Sequence, residues 1–89
     1  MKVVVIYRPQ SEHGREVETF IHDFQQTHQA GLEVLSVDTR EGVSTASLYD
    51  VTEYPAILAV REDGTLLKSW QGSQLPMMDE VAYYTMSSP

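Results

Sequence analysis

Cysteine is absent from all 89 residues of the sequence. A chain without cysteine has no thiolate of its own, so it cannot attack a disulfide, form one or supply sulfur to a zinc site. A serine hydroxyl does not replace the thiolate, because its pKa is far higher. The absence agrees with a reduced compartment but does not identify one.

Basic residues are scarce. Six Lys and Arg stand against thirteen Asp and Glu, which gives a formal net charge of −7. The six cations are scattered without a run or a stripe, which argues against nucleic-acid binding and against an anionic membrane surface. The charge is typical of a soluble domain, and a basic partner is the alternative interpretation.

Long hydrophobic runs are also missing. No stretch approaches the roughly 18 to 20 apolar residues of a membrane span. The apolar run over 3–7 is too short for the core of a signal peptide, and no small-residue cleavage site follows it. With 42% hydrophobic residues, the sequence predicts a single globular domain over 1–89 in the cytoplasm.

The hydrophobic pattern that is present predicts seven elements in the order β-α-β-α-β-β-α. Their predicted bounds are strand 2–7, a helix from Glu12 with Ser11 as N-cap, strand 32–38, helix 44–50, strand 56–60, strand 65–71 and helix 77–86, followed by a loose tail over 87–89.

The connections between these elements indicate the fold class. A helix between the first two strands predicts a parallel βαβ unit. The dipeptide Asp63-Gly64 predicts a type I′ hairpin between the last two strands. The sequence therefore predicts an α/β domain with a four-stranded mixed sheet flanked by helices.

Three segments resemble the thioredoxin and glutaredoxin superfamily, in the right order over nearly the whole chain. Segment 8–14, Arg-Pro-Gln-Ser-Glu-His-Gly, is similar to the glutaredoxin turn Arg-Pro-Gly-Cys-x-x-Cys. Segment 46–56 resembles the thioredoxin stretch Ala-x-x-Tyr-Gly-Val-x-x-x-Pro-Thr, and segment 63–72 resembles the Asp-Gly hairpin with its closing glycine. The resemblance implies a thioredoxin-like fold in a member that lacks the Cys-x-x-Cys motif.

The same resemblance places a candidate binding site. It implies that Pro55 has a cis peptide bond facing the Ser11 turn, and that the Tyr54 backbone faces the groove where active relatives pair with an extended peptide. Tyr7 is grouped with these two residues. The candidate binding residues are those of the altered turn and of the proline loop: Ser11, Glu12, His13, Gly14, Tyr54 and Pro55.

Three hypotheses for function follow. The preferred one is a redox-inactive module that binds a protein or peptide through the Ser11 turn and the Pro55 loop, without a catalytic residue or cofactor. The second is a glutathione-binding, transferase-like enzyme in which Ser11 orients the thiol. The third is a purely structural or assembly domain. His13, His22 and His28 do not form a metal-ligand pattern, since His22 and His28 are six residues apart and so not on one helix face, and no cysteine supports them.

Overall fold

The computed structural model of the chain describes residues 1–28, 31–72 and 74–85. The helices and strands within these ranges are β1 (Lys2–Tyr7), α1 (Gly14–His28), β2 (Glu33–Ser36), α2 (Arg40–Leu48), β3 (Ala56–Val60), β4 (Leu66–Gln71) and α3 (Met78–Tyr83). Their order is the predicted one, and β2, β4 and α3 are shorter than predicted. The predicted helix end at 86 and the loose tail over 87–89 lie outside the described residues.

The four strands form one mixed sheet in the order β2-β1-β3-β4. β1 pairs in parallel with β2 and antiparallel with β3, which pairs antiparallel with β4. The two central strands are the β-branched, apolar segments, and they are buried on both faces. The predicted four-stranded mixed sheet is confirmed.

Helices cover both faces of the sheet, so the core has two parts. Alternate residues of a strand point to opposite faces. One face carries Val3, Val5, Tyr7 and Ile57 against Val17 and Phe24 of α1 and Val81 of α3. The other face carries Val4, Ile6, Leu58 and Val60 against Ala46 of α2. Within the described part of the chain, no helix is long and apolar enough to cross a membrane.

Helix α1 begins later than predicted, and Ser11 does not cap it. The Gly14 N–H donates to the Ser11 carbonyl at 3.1 Å, which closes a turn, and the first helical bond runs from Val17 N–H to the His13 carbonyl at 3.0 Å. A Cβ on Gly14 would lie 2.2 Å from the Pro9 carbonyl oxygen. The helix therefore starts where the backbone folds back over Pro9, and this close approach requires glycine.

Helix α2 begins four residues before the predicted position 44. Thr39 is its N-cap, and the Thr39 side chain accepts the Gly42 N–H at 3.0 Å. Gly42 weakens the helical pattern of the sequence because glycine is a poor helix former. Its presence is explained by packing, since a Cβ there would lie 1.9 Å from the Ser36 carbonyl oxygen.

The hairpin between β3 and β4 is not the predicted type I′ turn. The Gly64 N–H donates to the Arg61 carbonyl at 2.9 Å, and the Arg61 N–H donates to the Thr65 carbonyl at 2.8 Å. Gly64 has φ +93°, whereas Asp63 is not left-handed. A type I′ turn needs two left-handed residues, so this loop is the longer kind with a glycine after the turn. The Asp63 carboxylate accepts the Thr65 N–H, which lowers the pKa of Asp63.

Candidate functional site

The candidate site lies at the carboxyl end of β1. The last residue of this strand, Tyr7, is buried, and its main-chain carbonyl accepts the Val37 N–H at 3.0 Å. The Tyr7 hydroxyl donates to a carboxylate oxygen of Glu18 at 2.9 Å. Burial first, and then the hydrogen bond and the negative charge of Glu18, raise the pKa of Tyr7.

The turn after β1 uses its own side chains to bind the main chain of Arg8. The Arg8 N–H donates to Nε2 of His13 at 3.4 Å, and the Ser11 hydroxyl donates to the Arg8 carbonyl. The Arg8 guanidinium lies 3.8 Å from the Asp38 carboxylate. Ser11 therefore acts as a donor to the end of β1, which replaces the predicted role as a helix cap.

The proline loop enters β3 beside this turn. The Tyr54–Pro55 peptide bond is cis. Pro55 is fully buried, and its carbonyl accepts the Gly72 N–H at 3.0 Å. The Tyr54 side chain is half-buried and packs on the sheet face covered by α2. The residue after Tyr54 is thereby fixed to the end of β4.

Gln71, at the end of β4, holds the start of the proline loop. Its side-chain carbonyl accepts the N–H groups of Thr52 at 3.0 Å and of Glu53 at 3.3 Å. Its amide donates to the Ser69 hydroxyl at 2.9 Å. The sequence did not identify Gln71, because only the strand register brings it beside a loop eighteen residues earlier. The resemblance to the hairpin segment was the signal that pointed to this part of β4.

The register of the sheet explains why Tyr54 is open. β1 and β3 pair as far as Ile6 with Ala56. Continued in the same register, the ladder would place Tyr7 opposite Pro55 and then Arg8 opposite Tyr54. Both main-chain groups of Arg8 are already bonded within the turn. Among residues 1–28, 31–72 and 74–85, neither the Tyr54 N–H nor its carbonyl has a hydrogen-bond partner. The ladder therefore stops before it reaches Tyr54 and leaves the Tyr54 main chain without a strand neighbour.

The predicted binding residues lie at the same end of the sheet, and their role in binding stays a prediction. The turn follows the end of β1 and the loop precedes the start of β3, and these two strand ends are paired. In the turn Glu12 is exposed, Ser11 and His13 are half-buried, and Gly14 is buried. The grouping of Tyr7 with Tyr54 is wrong, since the two side chains pack on opposite faces of the sheet. Alternation along paired strands causes this separation.

The side chains of the turn do not form a catalytic pair. The Ser11 hydroxyl donates to a main-chain carbonyl, and His13 accepts from a main-chain N–H, so neither activates the other. In the part of the chain that the structure describes, no group of three or more His, Cys, Asp or Glu residues could hold a metal ion.

Comparisons with known proteins agree with this architecture. No protein-family profile matches the chain, and no curated protein matches it in sequence. The solved structure of thioredoxin 1 from the thermophilic eubacterium Thermosipho africanus superposes with a TM-score of 0.66 at 15% identity. The match covers 94% of this chain and 89% of that protein. The chain therefore has a thioredoxin-like fold.

Proposed function

We propose that this chain is a redox-inactive, thioredoxin-like domain that binds an extended peptide along the main chain of Tyr54. The peptide lies between the Ser11 turn and the Pro55 loop. The observation that carries this proposal is the main chain of Tyr54, whose N–H and carbonyl have no partner among the described residues. Unpaired main-chain groups beside a strand can add a peptide strand through main-chain hydrogen bonds.

The surroundings of Tyr54 favour a preformed site. Gln71 fixes the residues before it, and the bond from Gly72 to Pro55 fixes the residue after it. An unpaired main-chain segment that is already held in place saves part of the ordering cost of binding. The turn supports the same conclusion, because its bonds to Arg8 prevent the chain from filling the place beside Tyr54 itself.

The composition supports the redox-inactive part of the proposal. Thiol–disulfide exchange forms and breaks bonds between sulfur atoms, and this chain contains no cysteine. Main-chain pairing with a peptide needs no thiol, so the absence of cysteine does not prevent peptide binding. Function rests here on the site and not on the fold alone.

The alternative of a glutathione-binding enzyme has less support. A serine that orients a thiol must direct its hydroxyl hydrogen at the sulfur, whereas the Ser11 hydroxyl donates to the Arg8 carbonyl. The alternative of a purely structural domain leaves the open main chain of Tyr54 without a role.

The test is selection of a phage-displayed library of random peptides on the immobilised chain, followed by NMR titration of the ¹⁵N-labelled protein with the selected peptides. We expect saturable amide shifts at Tyr54 and across 11–14. A parallel titration with reduced glutathione tests the alternative enzyme, which requires saturable shifts at the same residues. Peptides that bind elsewhere, or a library without enrichment, would contradict the proposal.

Two variants separate the contribution of the Tyr54 main chain to peptide binding from that of its side chain. Tyr54→Pro removes the N–H donor, and we expect it to abolish binding of the selected peptides. Tyr54→Phe keeps the main chain and the packed ring, so it should bind as the natural chain does. If Tyr54→Pro does not fold, the shift map of the natural chain still decides the question.

A further inference from the structure

We infer that the peptide bound beside Tyr54 is basic, and that Glu53 is the residue that selects its lysine or arginine side chains. This inference rests on the proposed function and specifies the chemistry of its partner. Charge complementarity at the open end of the sheet carries it.

Glu53 is placed beside the open main chain. Its own N–H is held by Gln71, and it directly precedes Tyr54. A Cβ built on Gly72 would lie 3.9 Å from both carboxylate oxygens of Glu53, so the carboxylate stands over Gly72. Gly72 is the residue whose N–H bonds to the Pro55 carbonyl at 3.0 Å. The Glu53 carboxylate therefore borders the site on the side of β4.

The cation that borders the site on the other side already has a partner. The Arg8 guanidinium lies 3.8 Å from the Asp38 carboxylate, at the side of β2. Glu53 is exposed, and within the described ranges its carboxylate makes no hydrogen bond and no ion pair. A cation on the peptide can thus pair with Glu53, whereas a carboxylate on the peptide would compete with Asp38 for Arg8.

Carboxylates outnumber cations at this end of the sheet. The segments that start or end here contribute the cations Arg8, Arg15 and Arg40 and the carboxylates Glu12, Glu16, Asp38, Glu41 and Glu53. The whole chain carries a net charge of −7. A field of this sign attracts a basic peptide and repels an acidic one, and the attraction weakens as salt screens it.

An extended peptide suits this arrangement. Alternate side chains of a strand point to the same side and stand roughly 7 Å apart. A peptide that pairs with Tyr54 therefore directs every second side chain to the same face of the sheet. Lysine and arginine side chains are long enough to extend across the loop to the exposed Glu53 carboxylate while the peptide backbone stays paired with Tyr54.

The experiment uses three capped peptides of equal length that alternate threonine with lysine, glutamine or glutamate. Each is titrated into the ¹⁵N-labelled chain at low and at high salt. We expect the lysine peptide to shift Tyr54, to bind more tightly than the glutamine peptide and to weaken at high salt, with the glutamate peptide binding least.

The variant Glu53→Gln tests the assigned residue. An exposed ion pair contributes little, so we expect the lysine peptide to bind about two- to fivefold more weakly and the glutamine peptide to be unaffected. Glu62→Gln is the matched control, because Glu62 is an exposed glutamate in the hairpin at the opposite end of the sheet. It should change neither affinity.

The outcomes separate this inference from the proposed function. If selected peptides bind at Tyr54 without any preference for lysine over glutamate, the charge inference is wrong and the peptide site stands. If the lysine peptide binds equally well to the Glu53→Gln variant, Glu53 is not the selecting residue. If no peptide of any composition shifts Tyr54, both fail.

Discussion

The turn after β1 and the loop before β3 meet at one end of the sheet, and they satisfy their polar groups in opposite ways. The turn is closed on itself, since Ser11 and His13 bind both main-chain groups of Arg8. The loop is held from outside, by Gln71 and Gly72, and leaves the main chain of Tyr54 open. The comparison indicates that the turn satisfies its own polar groups, while the loop leaves the main-chain groups on which the proposed peptide binding depends.

The sharpest way to break this comparison is to disturb the closed turn. Gly14→Ala places a Cβ 2.2 Å from the Pro9 carbonyl oxygen, so the backbone of the turn must shift. We expect the free energy of unfolding to fall by about 2 kcal/mol or more, as measured by urea denaturation. A cysteine at position 14 would meet the same oxygen, so this turn does not accept the family motif without rearrangement.

Gly31→Ala is the control for this prediction. A Cβ on Gly31 meets no atom of the described residues within 4 Å, so the stability should change little. Equal effects of the two substitutions would show that Gly14 is not constrained by Pro9.

The support of the loop gives the next largest effect. Gln71→Ala removes the acceptor for the N–H groups of Thr52 and Glu53. We expect a loss of about 1–2 kcal/mol in the free energy of unfolding, because these two hydrogen bonds and the bond to the Ser69 hydroxyl are lost. Hydrogen exchange at these two amides should also become faster. Gln74→Ala, at an exposed position nearby, should leave both measurements unchanged; unaltered exchange in Gln71→Ala would mean that the loop is held by other contacts.

The buried end of β1 predicts a pH dependence. Tyr7→Phe removes the hydrogen bond to Glu18 and should cost about 1 kcal/mol near neutral pH. The folded-state pKa of Tyr7 is raised above the ordinary value of 10.0, so the folded chain holds this proton more tightly than the unfolded chain does. Its contribution is complete below pH 10.0 and is lost as the pH rises through the folded-state pKa.

Urea denaturation of the natural chain and of Tyr7→Phe, repeated as the pH is raised into the alkaline range, measures this contribution of Tyr7 to stability. The difference in stability between the natural chain and Tyr7→Phe should shrink as the pH rises. A difference that stays constant would show that the environment of Tyr7 does not perturb its titration.

The smallest effect concerns Ser11. Ser11→Ala removes one exposed hydrogen bond to the Arg8 carbonyl and should cost about 0.5 kcal/mol. The substitution should speed hydrogen exchange of the Gly14 amide in the turn. The protection of the helical amide of Val17 should stay unchanged. If hydrogen exchange becomes faster throughout the first turn of α1, Ser11 caps the helix and the donor role assigned to it is wrong.

The sequence was sufficient for the sheet and insufficient for the helix starts. β1 and β3 were predicted because short apolar runs rich in β-branched residues are buried on both faces. The starts of α1 and α2 were missed because Gly14 and Gly42 are required by close approaches to other parts of the backbone. Such contacts depend on tertiary structure and leave no periodic signal.

The sequence predicted that the two segments of the candidate site lie near each other, but not how they are bonded; binding there stays a prediction. The resemblance placed the Ser11 turn beside the Pro55 loop, and the strand pairing brings them to the same end of the sheet. The donor role of Ser11 and the support from Gln71 arise from geometry between distant segments. Sequence spacing does not contain this information.

Hydrogen exchange at the Tyr54 amide tests the central claim most directly. In the free protein, we expect this amide to exchange rapidly while the amides of Thr52 and Ala56 on either side are protected. On addition of a peptide selected from the library, the Tyr54 amide should become protected. If it is already protected as strongly as Ala56 without any peptide, another part of the chain occupies the place beside Tyr54, and the proposed site does not exist.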